Sequence, residues 1–312
     1  MPLHPALERL IQTKLAHTRK PQWELPIGEV RQAFRNLWTP AMTGDPVTLS
    51  RIEDRAVPAP DRSIPVRVYA QGNDALPVIL YFPGGGYVKG GIEDADAFCR
   101  RLARASRHVV LSVGYRLAPE HPFPAALDDA YAATVWACHH AAEVGGASGP
   151  VVVCGESAGG NLAAVTCLLA RSDPRVAIRY QVLLQPVLDF TLSFPSMALP
   201  VTECLVPRDD LAWYYKTYYG DGNPKDSRVS PVFADDLSGL PPALIIAAEY
   251  DTLRDEAQAY AERLQTAGVA TRYICYPGMV HGFLQMGGLV SQAQSAVDDI
   301  ARTLTSGART VH

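Results

Sequence analysis

No apolar run in this sequence reaches the roughly 18–20 residues that a membrane-crossing helix needs, so no membrane span is expected. Nor is there a basic stripe: the formal net charge is −4, which argues against nucleic acid as a partner. The six cysteines (Cys99, Cys138, Cys154, Cys167, Cys204 and Cys275) form no C-x-x-C pair, which removes the common zinc and dithiol spacings. Most of them lie in apolar patterns, where a free thiol packs as a small hydrophobe. That usage fits a reducing cytoplasm better than a disulfide framework. The first residues, Met1-Pro2-Leu3-His4-Pro5, lack a basic segment followed by an apolar one, so no secretory signal is expected. Internal repeats and low-complexity tracts are absent as well.

What is present suits one large α/β core with additions: 312 residues, 48% hydrophobic and 19% charged. Residues 5–20 and 29–38 carry apolar stripes at helical spacing (Leu7, Leu10, Ile11, Leu15; Val30, Phe34, Leu37, Trp38), with Pro21, Pro26 and Gly28 between them. From about residue 47 strands alternate with helices. Val47 to Val57 and Ile64 to Tyr69 read as an opening hairpin, and Val109 to Val113 and Tyr180 to Gln185 as strands. Ala95 to Ala105, Ala125 to Ala142 and Ser291 to Leu304 read as helices. Between about 190 and 230 the alternation breaks into prolines and an aromatic cluster, Trp213, Tyr214, Tyr215, Tyr218 and Tyr219.

The stretch Gly155-Glu156-Ser157-Ala158-Gly159 follows an apolar β-branched run and precedes an alanine- and leucine-rich one. A serine on a tight strand-to-helix turn is the nucleophile elbow of α/β-hydrolases. Its turn demands small flanking residues, and Gly155 and Gly159 supply them. The new helix also points its free N–H groups toward the serine, where an oxyanion would form. A chance loop serine is the alternative, so an acid and a histidine have to follow in that chain order.

Pro242 to Ala248 reads as a buried parallel strand, and Glu249-Tyr250-Asp251-Thr252-Leu253-Arg254-Asp255-Glu256 comes directly after it. A carboxylate at the carboxyl end of a parallel strand faces the ligand edge of an open sheet, which selects Asp251. Glu249, Asp255 and Glu256 compete with it, the last two more naturally as first-turn helix residues. Thr271 to Tyr276 alternates like a short strand, and Pro277 to Phe283 reads as a loop bearing His281. Such a histidine can hold the aspartate through Nδ1–H and take the serine proton on Nε2. His4, His17, His108, His121, His139, His140 and His312 are weaker candidates by position. The run Val78 to Phe82 ends in Pro83-Gly84-Gly85-Gly86-Tyr87, whose glycines allow backbone N–H groups close to a substrate oxygen. It fits neither dinucleotide nor Walker spacing.

Together these motifs resemble the hormone-sensitive-lipase family of α/β-hydrolases, the bacterial family IV esterases. Phe82-Pro83-Gly84-Gly85-Gly86-Tyr87 is similar to the family's His-Gly-Gly-Gly loop. Tyr115-Arg116-Leu117-Ala118-Pro119-Glu120, with Phe123-Pro124-Ala125-Ala126, resembles the segment between that loop and the nucleophile. Gly155 to Asn161, Glu249 to Asp255 and His281-Gly282-Phe283 resemble the nucleophile, acid and histidine blocks. The resemblance implies a mostly parallel central sheet flanked by helices, under a helical cap. It implies Ser157, Asp251 and His281 as triad, the N–H groups of Gly85, Gly86 and Ala158 as oxyanion hole, and no metal or cofactor. It implies action on carboxylic esters of short to medium acyl chain, and a homodimer through an edge strand or the C-terminal helix. Residues 1–46 would be N-terminal cap helices, 47–189 and 231–312 the catalytic core, and 190–230 a second cap segment; the N-terminal helices could instead pack on the outside. Tyr87, Leu205, Leu211 and Trp213 are candidates for substrate contact, the last three as an acyl-pocket wall.

Three positions depart from the pattern. Pro83 replaces the loop histidine and cannot brace the loop through an imidazole. Glu156 replaces an aspartate and is expected to support the elbow from behind. Thr252 replaces a proline, read as neutral. Amide, N-formyl or carbonate hydrolysis remains open in the same site, as does a non-catalytic small-molecule binder on the same fold. Plant hormone receptors of the second kind have lost the histidine, and the joint presence of Ser157, Asp251 and His281 argues for an enzyme.

Overall fold

The computed structural model describes residues 1–17, 20–72 and 74–306. Helices α1 (Pro5–His17), α2 (Ile27–Arg35) and α3 (Pro40–Thr43) come first. Strands β1 (Arg51–Ala59) and β2 (Arg62–Ala70) make the opening hairpin, starting four residues later than Val47. Then β3 (Val78–Phe82), α4 (Asp96–Ser106), β4 (Val109–Val113), α5 (Ala125–His140), β5 (Val151–Glu156), α6 (Ala158–Ala170) and β6 (Ile178–Leu184) alternate. A long connection holding α7 (Arg208–Tyr219) leads to β7 (Ala243–Tyr250), α8 (Arg254–Thr266), β8 (Thr271–Val280) and α9 (Gln292–Ser306). Of the first expected helix, Thr18 and Arg19 lie outside the described residues, as do Asn73 and residues 307–312 with His312.

The strands form one eight-stranded sheet in the order β1-β2-β4-β3-β5-β6-β7-β8. Pairings β1·β2 and β2·β4 are antiparallel and all others parallel. The parallel strands read as continuous Val/Ile/Leu runs because helices cover both faces. Successive residues alternate between two apolar layers. Leu80, Phe82, Val153, Leu183 and Ile245 face the layer that includes residues of α5, α6 and α8. Ile79, Tyr81, Val152, Val182 and Ile246 face the layer that includes residues of α4, α9 and α1. Each fully buried large apolar side chain contributes about 1.5–3 kcal/mol, so these layers dominate the stability of the fold.

The order of strands fixes where a ligand site lies. From β3 the chain moves to one side to reach β4, and from β5 to the other side to reach β6. Adjacent strands whose connections diverge leave a crevice at their carboxyl ends. Those ends carry the glycine loop and Ser157, with Phe82 paired to Gly155.

One expected boundary is corrected. Pro277 to Met279 are strand rather than loop, and β8 ends at Val280, immediately before His281. Between the pairs Ala248↔Tyr276 and Tyr250↔Val280, β7 advances two residues and β8 four. The extra residues bulge, with Gly278 at φ +70°, and an edge strand tolerates proline at such a place.

Candidate active site

Ser157 sits between β5 and α6 at φ +56°, ψ −117°, a conformation unusual for a residue with a side chain. The surroundings hold it there. Its N–H donates to Leu184 O at 2.9 Å, and its carbonyl accepts from Asn161 N and Val187 N at 3.1 Å each. The flanking glycines are sterically required: a Cβ on Gly155 would collide with the backbone of Gly159, and one on Gly159 with that of Phe82. A Cβ on Gly84 would stand 3.5 Å from that of Ser157, which places the glycine loop beside the serine. Gly85 and Gly86 have φ of +137° and +62°, and a side chain on either would strike Lys89 or the ring of Tyr214. The loop is tied down from below, where Tyr115 Oη donates to Pro83 O at 2.6 Å.

Of the four candidate carboxylates, Asp251 is the one in contact with His281. His281 Nδ1 lies 2.8 Å from Asp251 Oδ2, and Asp251 is 1% exposed. Asp251 Oδ1 accepts from Leu253 N at 3.0 Å. The other three are engaged elsewhere. Glu249 accepts from Gly278 N and the chain's amino group. Asp255 accepts from Ser196 N, and Glu256 from Leu188 N and Asp189 N. Asp255 and Glu256 do occupy the first turn of α8. Burial lowers the pKa of His281, but the charge of Asp251 and its hydrogen bond outweigh that, so the net displacement is upward from 6.5. Ser157, Asp251 and His281 thus follow the carboxyl ends of β5, β7 and β8 at one edge of the sheet.

Sequence reasoning missed Gln185. It follows β6 at φ +45°, its N–H donating to Ile246 O at 2.6 Å. Its side chain donates to Asp251 Oδ2 and Val280 O, both at 3.0 Å, and accepts from Gly282 N at 2.8 Å. No residue-type signal marks a glutamine at a strand end. Glu156 lies behind the elbow as expected: its Oε2 accepts from Gln285 at 2.9 Å, and burial raises its pKa.

Residues 1–46 and 190–230 both contact the glycine loop and its neighbours. Arg31 of α2 pairs with Glu120 at 2.6 Å and donates to Val88 O and Ala118 O. Arg116 joins Arg62 on buried Asp129. The ring of Tyr214, in α7, lies against Gly86. Of the candidates for substrate contact, Tyr87 is fully buried and stacks on Tyr218 with centroids 4.0 Å apart. Leu211 is buried, Trp213 packs beside Tyr214, and Leu205 is partly buried with its carbonyl held by Lys14. Among the other histidines, His108 bonds Ser106 O and His140 pairs with Glu143. Among the described residues, no group of three or more His, Cys, Asp or Glu is arranged to hold a metal ion, and no helix is long and apolar enough to cross a membrane.

The chain is similar to known proteins over most of its length. The alpha/beta hydrolase fold family model matches residues 79–285. The carboxylic ester hydrolase LipN of Mycobacterium tuberculosis is 44% identical over 80% of this chain and 69% of its own. The arylesterase of Saccharolobus solfataricus is 36% identical over 91% of this chain and 93% of its own. The solved hyperthermophilic esterase from Pyrobaculum calidifontis superposes with a TM-score of 0.91 at 39% identity, covering 99% of both chains. On the matched span and these relatives, the chain belongs to the hormone-sensitive-lipase-like family of α/β-hydrolases.

Proposed function

We propose that Ser157, Asp251 and His281 are the catalytic triad of this chain, a carboxylic ester hydrolase, and that it cleaves esters of short to medium acyl chain. The observation that carries the assignment is the 2.8 Å contact between His281 Nδ1 and Asp251 Oδ2 at the sheet edge that also bears the strained Ser157. Esterase relatives covering most of the chain support the reaction class.

In the proposed cycle His281 Nε2 takes the proton of Ser157 Oγ as the oxygen attacks the ester carbonyl. Asp251 keeps the ring in the tautomer with Nδ1 protonated and stabilises the imidazolium. The backbone N–H groups of Gly85, Gly86 and Ala158 receive the oxyanion. Each such donor is worth about 10²–10³ in rate. His281 returns the proton to the departing alcohol, and water then attacks the acyl-enzyme by the same route in reverse. Pro83 lacks both the imidazole and a backbone N–H, but it leaves this hole usable because the proposed donors are Gly85, Gly86 and Ala158, and its carbonyl is fixed by Tyr115. Residues 1–46 and 190–230 act as the cap, a reading supported by the contacts of Arg31 and Tyr214 with the glycine loop and its neighbours. Of the candidates for substrate contact, Leu205 and Trp213 keep some exposed surface, whereas Tyr87 and Leu211 are buried.

A cytoplasmic location and a homodimer are part of this proposal. Six unpaired cysteines support the first; the second is supported by the position of β8 as terminal strand of the sheet, next to α9. Light scattering after size exclusion reads the oligomer directly. The central test is hydrolysis of 4-nitrophenyl butyrate: turnover by the parent and its loss in Ser157→Ala are expected. A parent without turnover overturns the assignment.

A further inference from the structure

Lys89 stands three residues beyond Gly86 in the glycine loop, and its N–H donates to Gly85 O at 3.1 Å. Its side chain runs toward the cap segments. Nζ donates to Gln22 Oε1 and to Tyr214 Oη, both at 2.6 Å. It also lies 5.0 Å from the ring centre of Phe34 and 4.9 Å from that of Tyr214. The Tyr214 ring is the one packed on Gly86, where a Cβ would stand 2.5 Å from it. One aromatic wall therefore joins this ammonium to a proposed oxyanion donor.

The partners of the ammonium are neutral. The charges it feels are Asp210, which is favourable, and Lys14, which is not. Asp210 is itself shared: it accepts from Gln22 at 2.8 Å and lies 3.9 Å from Lys14. On α2, Arg31 is engaged by Glu120, and Tyr214 is the titratable group on α7 nearest to Nζ. Asp210 thus serves both ammonium groups, and the neighbouring carboxylate of Asp209 acts on it as well. An ammonium has three donors, of which two are used here. In the free protein burial draws the pKa of Lys89 down to about 7. Its charge is also felt at His281, whose pKa it lowers, so the ammonium stands within electrostatic reach of the proposed reaction centre.

We propose that Lys89 recognises a carboxylate carried by the substrate, so that esters bearing such a group, half-esters of dicarboxylic acids among them, are preferred over neutral esters of the same length. This rests on the hydrolase assignment above. The incoming carboxylate takes the third donor of the ammonium and pairs with its charge, while the ester carbonyl lies at the glycine N–H groups. Lys89 is charged below about pH 7 and neutral above it. The preference is therefore greatest at low pH and fades as pH rises.

The test compares kcat/KM for mono-4-nitrophenyl glutarate with 4-nitrophenyl valerate, and for 4-acetoxybenzoate with its methyl ester, at pH 6 and pH 9. Taking a ratio within each pair cancels the titration of His281, because both substrates meet the same free enzyme. For at least one pair we expect the charged member to be favoured by roughly tenfold at pH 6, the effect of one charge-assisted hydrogen bond. Lys89→Met loses that ratio, and Lys89→Arg, charged at every pH used, keeps it at pH 9. Ratios in the parent that match those of Lys89→Met overturn the proposal, as does a parent preference unchanged between the two pH values. Calorimetric binding of the same pairs to Ser157→Ala reads the subsite without turnover. A parent that binds charged members preferentially through Lys89 but hydrolyses nothing would sink the hydrolase assignment and leave the subsite standing.

Discussion

Gln185 Nε2 and His281 Nδ1 converge on one oxygen, Oδ2 of Asp251, at 3.0 and 2.8 Å. The same glutamine accepts from Gly282 N, next to the histidine. One side chain thus fixes both the carboxylate and the start of the loop that carries the ring. Gln185→Leu removes a donor from a buried carboxylate and leaves Gly282 N–H without its acceptor. Losing partners of buried polar groups costs about 1–3 kcal/mol each. We expect a lower melting temperature by calorimetry and a kcat reduced by roughly tenfold or more, with KM changed less, because the loss falls on the reacting geometry. A kcat equal to that of the parent would show that Asp251 and His281 hold their places unaided.

The pH profile follows from the same pair. The general base must be neutral, and the folded pKa of His281 lies above 6.5 because Asp251 stabilises its charged form. Below that pKa the ring is protonated and inactive; above it the ring is neutral and active. Activity on a neutral ester should rise through a midpoint above pH 6.5, and a flat profile from about pH 5 to about pH 9 counts against His281 as base. Asp251→Asn should lower kcat by about 10⁴, since it favours the wrong tautomer.

Gly86 offers a steric test of the oxyanion loop. Its φ of +62° and the Tyr214 ring 2.5 Å from a would-be Cβ leave no room for a side chain. Gly86→Ala must shift either the loop or α7. Displacing one oxyanion donor costs about 10²–10³ in kcat. The double variant Gly86→Ala/Tyr214→Ala opens the space and should recover part of the loss in Michaelis kinetics, leaving only the strain of the positive φ.

How much of this was readable from sequence depends on what each residue is asked to do. Gly155 and Gly159 were legible because no larger residue fits the turn, so geometry is written into residue type. The sheet was legible because buried parallel strands must be apolar runs. The choice among Glu249, Asp251, Asp255 and Glu256 rested only on position at a strand end, whereas contacts in space show which of them lies against His281. The last four residues of β8 were hidden because Pro277-Gly278 reads as a turn, while an edge bulge accommodates both. Gln185 and Lys89 gave no signal at all. A glutamine after a strand and a lysine in a loop are ordinary residues, and their roles arise from elements distant in the chain.

Glu256 lies fully buried beneath the site, where Oε1 accepts from Leu188 N at 2.6 Å and Asp189 N at 3.3 Å while Oε2 has no partner. Burial holds its carboxyl well above the ordinary value of 4.5, with Asp189 and Asp251 adding to the effect and the two backbone donors opposing it. A folded pKa above the unfolded one means that the folded protein keeps a proton the unfolded chain releases. Stability is therefore lost as pH rises from about 4.5 toward the folded pKa, by up to about 1.4 kcal/mol per pH unit. Glu256→Gln preserves the accepting oxygen and the shape while removing the titration. Its melting temperature relative to the parent should climb between pH 5 and pH 8, a difference that cancels the contribution of Glu156, which titrates in the same direction in both proteins. A constant difference across that range in differential scanning calorimetry would mean that the Glu256 carboxyl is already ionised in the folded state at pH 5.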